Sequence, residues 1–324
     1  MQRTLGRSGI RVSALGLGCW AIGGPFVMDG RPDGWGAVDD AESIRAIHTA
    51  MDYGVSFFDT ADAYGIGHSE QVLGRAIAGR RGDVVISTKF GYLGNEATKT
   101  LHGTCLDAGY IKRACEASLK RLGTDYIDLY FLHVWEIGLP DIDPVCDALD
   151  ALVQNGKIRS YGWSTDLVNG AGLFARRSAC AAVQHNLNVF DDAPAMLDLC
   201  DRENLASVNR GPLAMGMLTG KFAAGSRLSA DDVRGAGHGW VPYFQDGTPR
   251  PEFLKKLDGV RDVLTSGGRT LAQGALAWVW GRSGRTVPIP GFKTARQAKE
   301  NAAAMAFGPL SEEQMRQIHG IMGE

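Results

Sequence analysis

Tyr126-Ile127-Asp128-Leu129-Tyr130-Phe131-Leu132-His133 is a near-continuous apolar run that ends on a polar residue. A run of this length suits a strand buried on both faces, as in a parallel sheet. A helical pattern precedes it. Ile111, Ala114, Cys115, Ser118, Leu119 and Leu122 fall at i, i+3, i+4, i+7, i+8 and i+11, which makes one small or apolar face. A second pattern follows: Asp143-Pro144 reads as N-cap and first helical residue, Val145, Ala148, Leu149, Leu152 and Val153 carry the stripe, and Gly156 stops it.

The alternation extends in both directions. Similar runs are Ala14-Leu15-Gly16-Leu17-Gly18, Val55 to Asp59, Val84 to Lys89, Ile158 to Trp163, Ala181 to Gln184, Leu205 to Asn209 and Thr286 to Ile289. Ile44, Ile47 and Met51 mark a helix ending at Gly54, weaker helical signals follow Trp163, Gln184 and Asn209, and another helix spans about Thr294 to Ala304. Such a chain forms either a doubly wound open sheet or a closed (β/α)8 TIM barrel. The number of alternations and the lack of a second composition zone favour the barrel, as a single domain over residues 1–324. Met1 to about Arg11 is expected to form an N-terminal β-hairpin, and Ser311 to Glu324 a C-terminal extra helix. The long connections 23–39, 90–110 and 223–250 read as irregular. Each follows a strand, so in a barrel all rise from the C-terminal rim, where long loops serve as binding elements or lids.

Composition narrows the class. Hydrophobic residues make up 44% and charged residues 22%, which excludes a disordered or fibrous chain. The 34 Lys+Arg against 36 Asp+Glu give a net charge of -2, with no cationic excess to attract nucleic acid. No apolar run reaches the ~18 residues of a membrane helix, and the N-terminus lacks the apolar stretch of a signal peptide. A cytoplasmic protein with neither nucleic-acid nor membrane partners is the expectation; the oligomeric state is not legible. The 6 cysteines are irregularly spaced without a C-x-x-C pair, so reduced thiols are expected. The 7 histidines include no H-x-x-x-H pair, so no metal site is expected.

Two motif-like stretches lack their context. Gly16-Leu17-Gly18-Cys19-Trp20-Ala21 fits a dinucleotide fingerprint, but that mechanism needs a helix to start at the glycines, and Gly23-Gly24-Pro25 follows instead. Gly216-Met217-Leu218-Thr219-Gly220-Lys221-Phe222 is one residue short of a P-loop, and Phe222 stands where a magnesium-binding hydroxyl is required.

The chemistry concentrates where consecutive runs end. Asp59, Lys89 and His133 close three of them, and Tyr64 follows Asp59 in Asp59-Thr60-Ala61-Asp62-Ala63-Tyr64-Gly65. In a barrel these ends converge on one rim. A phenol of pKa about 10 is a poor proton donor near neutrality. An adjacent ammonium favours the phenolate and lowers that pKa, and a carboxylate keeps the ammonium charged. Asp59 would therefore hold Lys89, Lys89 would tune Tyr64 as general acid, and His133 would orient a carbonyl oxygen. The set suits proton transfer to a carbonyl that receives a hydride from a cofactor. Ser164, Gln184 and Arg210 offer binding groups at later strand ends. The turn from Gly211 through Pro212 and Leu213 to Gly216 lets backbone N–H groups approach phosphates. The helix start at Lys293-Thr294, with Arg296, reads as an anion site.

These segments together resemble the aldo-keto reductases nearly end to end. The likeness is carried by Leu15 to Trp20, Phe58 to Gly65, Ser118 to Leu129, Gly156-Lys157-Ile158-Arg159, Pro212 to Lys221 and Ile289-Pro290-Gly291. The resemblance implies the TIM barrel, a catalytic tetrad of Asp59, Tyr64, Lys89 and His133, and NADPH (NADP) extended across the rim, with NAD as the alternative. It implies that Ser164 and Gln184 hold the nicotinamide carboxamide, that Pro212, Leu213, Gly216 and Lys221 approach the phosphates, and that Lys293, Gln297, Glu300 and Asn301 hold the adenosine end. Departures from the family pattern are Arg210 where many relatives stack an aromatic ring on the nicotinamide, Thr165 where many have Asn, and Gly291 where some have a phosphate-binding lysine. Trp20, Tyr92 and Trp135, with the 223–250 loop, would wall an apolar substrate pocket. The expected partner is a small-molecule aldehyde or ketone. Two other classes fit parts of the pattern: a nucleotide-sensing regulatory subunit with little turnover, and a barrel lyase or isomerase using Lys89 as a Schiff-base amine.

Overall fold

A computed structural model describes residues 1–323. Eight parallel strands form one sheet in chain order: β1 (Gly16–Gly18), β2 (Phe57–Asp59), β3 (Val85–Phe90), β4 (Ile127–Leu132), β5 (Ile158–Ser164), β6 (Cys180–Asn186), β7 (Ala206–Arg210) and β8 (Thr286–Pro288). The sheet curls until its ends meet. Gly18 pairs with Gly291 just past β8, and Gly18 N–H donates to the Pro290 carbonyl at 3.0 Å. The expected barrel is thus the observed one, and every strand lies on a run read from the sequence. The N-terminal hairpin is present as Gln2–Thr4 against Arg11–Ser13. Its Leu5 and Val12 pack with Phe57, Leu129, Phe131, Ala182, Val208 and Val287 and plug the barrel interior.

Alternation along each strand divides the core. On β4, Leu129 and Phe131 point inward, while Tyr130 and Leu132 pack outward beneath the helices. The described residues also form ten helices: α1 (Asp40–Asp52), α2 (His68–Ala76), α3 (Ala108–Leu122), α4 (Leu139–Gln154), α5 (Val168–Phe174), α6 (Pro194–Arg202), α7 (Pro251–Thr265), α8 (Leu271–Arg282), α9 (Ala295–Ala303) and α10 (Glu312–Met322). No helix among the described residues is long and apolar enough to cross a membrane.

The structure corrects two sequence expectations. Helix α4 starts one turn before Asp143-Pro144, with Gly138 as N-cap and Pro140 in the first turn, so Pro144 lies inside the helix. Burial of Ile142 on the stripe of Val145, Cys146, Leu149 and Leu152 draws the start upstream, at the cost of one helical hydrogen bond. The connections 23–39 and 90–110 are not irregular. They supply Arg31–Pro32, Val27–Met28, Thr100–Thr104 and Tyr92–Asn95, which pair in that order as a four-stranded sheet. Strands of two to five residues leave too little period to read. This sheet contributes Met28, Tyr92 and Leu101 to a cluster with Ala61, Ala63, Ile66 and Tyr64, so it braces the turn after β2.

That turn is also pressed against the first rim loop. Gly65 has φ +60, and a Cβ there would lie 1.8 Å from the Gly23 carbonyl oxygen. Gly65→Ala is therefore expected to lower unfolding free energy by roughly 2–4 kcal/mol. Gly54→Ala, at φ +82 with open space around it, should lose only about 1 kcal/mol. Denaturant unfolding of the two variants checks the difference.

Candidate active site

Side chains alternate along a strand, so inward positions recur every second residue. Two beyond inward Phe57 comes Asp59, two beyond Phe131 comes His133, two beyond Ala182 comes Gln184, and two beyond Val208 comes Arg210. The expected residues thus form the uppermost interior layer of the barrel, where polar groups reach the C-terminal mouth.

Within that layer Lys89 and Asp59 are buried to 0% and 2% exposure. Lys89 Nζ donates to Asp59 Oδ2 at 2.7 Å, to the Thr60 carbonyl at 2.7 Å and to Tyr64 Oη at 3.1 Å. An ammonium has three N–H groups, and all are engaged. Asp59 Oδ1 accepts from Ser87 Oγ at 2.7 Å and from Gln184 Nε2 at 2.8 Å. Burial pulls the Lys89 ammonium toward neutrality, but Asp59 and Tyr64 outweigh it, and the net shift is upward. Lys89 is a fixed cation.

Tyr64 shows a correction. The sequence argument expects Lys89 to bring the phenol below its ordinary value. In the structure burial raises it, Lys89 pulls it down and Asp59 raises it, with a net upward shift. Desolvation of the phenolate, with the charge of Asp59, outweighs the cations Lys89 and Arg210. Tyr64 is consequently protonated at neutral pH, the form a proton donor needs.

His133 meets Tyr64 edge-on at 5.7 Å between ring centroids, and its Nδ1 is buried without a partner. Burial first, then the charges of Lys89 and Arg210, hold it well below the usual histidine value, so the ring is neutral. Trp20 stacks on Tyr64 at 5.9 Å and Tyr92 meets His133 at 5.4 Å, so both line the Tyr64–His133 pair. Trp135 stands apart on the outer rim, 46% exposed, under the Arg210 guanidinium at 5.3 Å. Arg210 is also ion-paired to Asp166.

The 223–250 loop lies across the mouth. Trp240 packs over Trp20 at 6.2 Å, Val233 N–H donates to the Gly34 carbonyl at 2.8 Å, and His238 bonds the Pro32 carbonyl at 2.8 Å. Beneath it, positive φ at Ala214, Met215 and Gly216 turns the backbone after β7. Lys221 Nζ and an Arg234 nitrogen each lie 3.4 Å from where a Gly216 Cβ would stand. Partial desolvation, then the charge of Arg234, lowers the Lys221 ammonium pKa, with Lys293 adding to the effect and Asp232 opposing it. Lys221, Arg234 and Lys293 against Asp232 and Asp231, beside a glycine without Cβ cover, could hold the phosphates of a dinucleotide.

Of the expected adenosine-end residues, Lys293, Gln297 and Asn301 have side chains bonded within the chain. Lys293 Nζ bonds the Trp35 and Ala37 carbonyls at 2.9 and 2.8 Å, and Gln297 Oε1 accepts from Lys293 N–H at 2.8 Å. Asn301 Nδ2 donates to the Gly291 carbonyl at 3.2 Å, and the Glu300 carbonyl accepts from Gln273 at 3.1 Å. The α9 start read as an anion site already bonds a carboxylate: Glu42 Oε1 accepts from Ala295 N–H at 2.8 Å. Pro212 and Leu213 are buried, and Gly291 is exposed beside Gly18.

Sequence reasoning missed Ser87, Asp166, Arg234, Trp35 and Trp240. Ser87 and Asp166 sit two residues from Lys89 and Ser164, so the alternation would have found them. Arg234 and Trp240 lie in a loop with no period to follow.

Comparisons with known proteins bear on the family and the fold. The aldo/keto reductase family pattern matches residues 14–322. Aldo-keto reductase YhdN of Bacillus subtilis is 30% identical over 323 residues, covering 97% of this chain and 91% of its own. The NADP(+) aldo-keto reductase yakc of Schizosaccharomyces pombe is 30% identical over 318 residues, covering 95% and 87%. Among solved structures, the glycerol dehydrogenase AKR11B4 of Gluconobacter oxydans superimposes with a TM-score of 0.84 at 28% identity, covering 99% of this chain and 95% of that one. An aldo-keto reductase of Klebsiella pneumoniae in complex with NADPH superimposes with a TM-score of 0.71 at 27% identity, covering 99% and 95%. The chain belongs to the aldo/keto reductase family and is an oxidoreductase.

Proposed function

We propose that the protein reduces an aldehyde or ketone to an alcohol with NADPH, using Tyr64 as proton donor. The observation that carries this reading is the contact of Tyr64 Oη with a lysine whose charge is held by a buried aspartate, beside a neutral histidine. NADPH, when bound, supplies the hydride. Lys221, with Arg234, would hold its phosphates, Lys293 its adenosine end, and Ser164 and Gln184 its carboxamide.

The chain's own groups do the rest. A substrate carbonyl oxygen placed between Tyr64 Oη and His133 accepts a hydrogen bond from each. As negative charge develops on that oxygen, Tyr64 gives up its proton, and Lys89 stabilises the phenolate. A neutral His133 can orient the oxygen without protonating it first. Trp20, Tyr92 and Trp240 exclude water from the reacting groups and offer apolar walls to the substrate. The reverse step uses the phenolate as base, and one structural neighbour bears the name glycerol dehydrogenase. A Schiff-base role for Lys89 finds no support, because that chemistry needs a neutral amine with a free lone pair.

Tyr64→Phe is expected to lower aldehyde-dependent NADPH oxidation by about 10²–10⁴-fold while leaving NADPH binding intact. Absorbance loss with an aldehyde panel checks it, and equal rates in parent and variant would defeat the reading. Because the Tyr64 pKa is raised, the proton is present throughout the neutral range. Reductive kcat/KM should therefore show no loss from this group below about pH 10. Lys221→Met should weaken NADPH binding by roughly tenfold and flatten its dependence on salt, read by tryptophan fluorescence quenching.

A further inference from the structure

The residues expected to meet the nicotinamide and those expected to move the proton are joined. Gln184 is 1% exposed, and its amide N–H donates to Asp59 Oδ1 at 2.8 Å. Ser164 Oγ donates to Gln184 Oε1 at 3.2 Å. A carboxylate only accepts, so Asp59 fixes which end of the amide faces it. The other Asp59 oxygen holds Lys89 at 2.7 Å, and Lys89 reaches Tyr64 at 3.1 Å. One unbroken chain thus runs Ser164, Gln184, Asp59, Lys89, Tyr64.

We propose that Gln184 is a positioning residue for proton transfer, its amide N–H on Asp59 setting how much of the carboxylate charge Tyr64 feels. The inference rests on Tyr64 being the proton donor. The negative charge of Asp59 opposes a phenolate at Tyr64. An N–H dipole on Oδ1 draws part of that charge toward β6 and away from the phenol. In a buried site with little water the dipole is felt farther than it would be in solution. A glutamine that merely satisfied itself needs no carboxylate. This one spends its donor on the acid that anchors the catalytic lysine, an acid that Ser87 already bonds at 2.7 Å. Ser164 and Gln184 are also the groups expected at the cofactor carboxamide, so what they bond there is communicated to Tyr64.

The test replaces tyrosine by 3-fluorotyrosine throughout the protein. That lowers each phenol's pKa into an accessible range and supplies a fluorine NMR signal. The Tyr64 signal is the one missing from Tyr64→Phe, and titrations are run without added nucleotide. Gln184→Leu should shift the Tyr64 titration upward by about half a pKa unit or more. Ser164→Ala, which keeps Gln184 but lets its amide turn, should give a smaller shift of the same sign. Unchanged signals from the other tyrosines at neutral pH show that each variant is folded. A Tyr64 titration in folded Gln184→Leu that superimposes on the parent's, or moves downward, overturns the proposal. The functional reading fails separately, if Tyr64→Phe retains full reductase activity.

Discussion

The site depends on an ion pair buried where water does not compete. Lys89 and Asp59 are almost wholly inaccessible, and taking two charges out of water costs several kcal/mol per ion before their attraction is counted. The pair is tolerable because every group in it is satisfied. The three donors of Lys89 meet Asp59, Thr60 and Tyr64, and the second Asp59 oxygen meets Ser87 and Gln184. Removing either partner would leave an uncompensated buried charge, worth about 3–5 kcal/mol. A fold optimised only for stability would fill this layer with apolar side chains. The polar layer makes sense as a device that keeps one cation fixed against one phenol.

The rest of the architecture serves that contact. Strand alternation puts Asp59, Lys89 and His133 in one interior layer, and the small four-stranded sheet braces the turn that brings Tyr64 over it. Gly23 and Gly65 let the first rim loop and that turn touch backbone to backbone. The 223–250 loop crosses the mouth, joining the aromatic wall near Tyr64 to the cation cluster around Gly216. Trp240 of the aromatic wall and Arg234 of the cation cluster are thereby parts of one segment.

Much of this was legible in the sequence, for a physical reason. Strands buried on both faces leave continuous apolar runs, and the polar residue ending each run marks the rim, so the eight strands and the rim positions of Asp59, Lys89 and His133 could be located. What could not be read depends on contacts between distant segments. Helix α8 is buried nearly all round and shows no amphipathic stripe. The two-residue strands of the rim sheet have no period. Trp240 reaches Trp20, and Arg234 reaches Met215, only through loop geometry. The direction of the Tyr64 shift was misjudged because desolvation depends on burial that a sequence does not display. The engagement of Gln184 with Asp59 was equally invisible, since nothing local links positions on β2 and β6.

The account stands most directly on the hydride-transfer step in a protein whose lysine has lost its charge. Single-turnover oxidation of bound NADPH by an aldehyde should be slowed at least about a hundredfold in Lys89→Met. Fluorescence titration of the same preparation should show that NADPH still binds. A transfer rate equal to the parent's, in a variant that binds NADPH normally, would contradict the account.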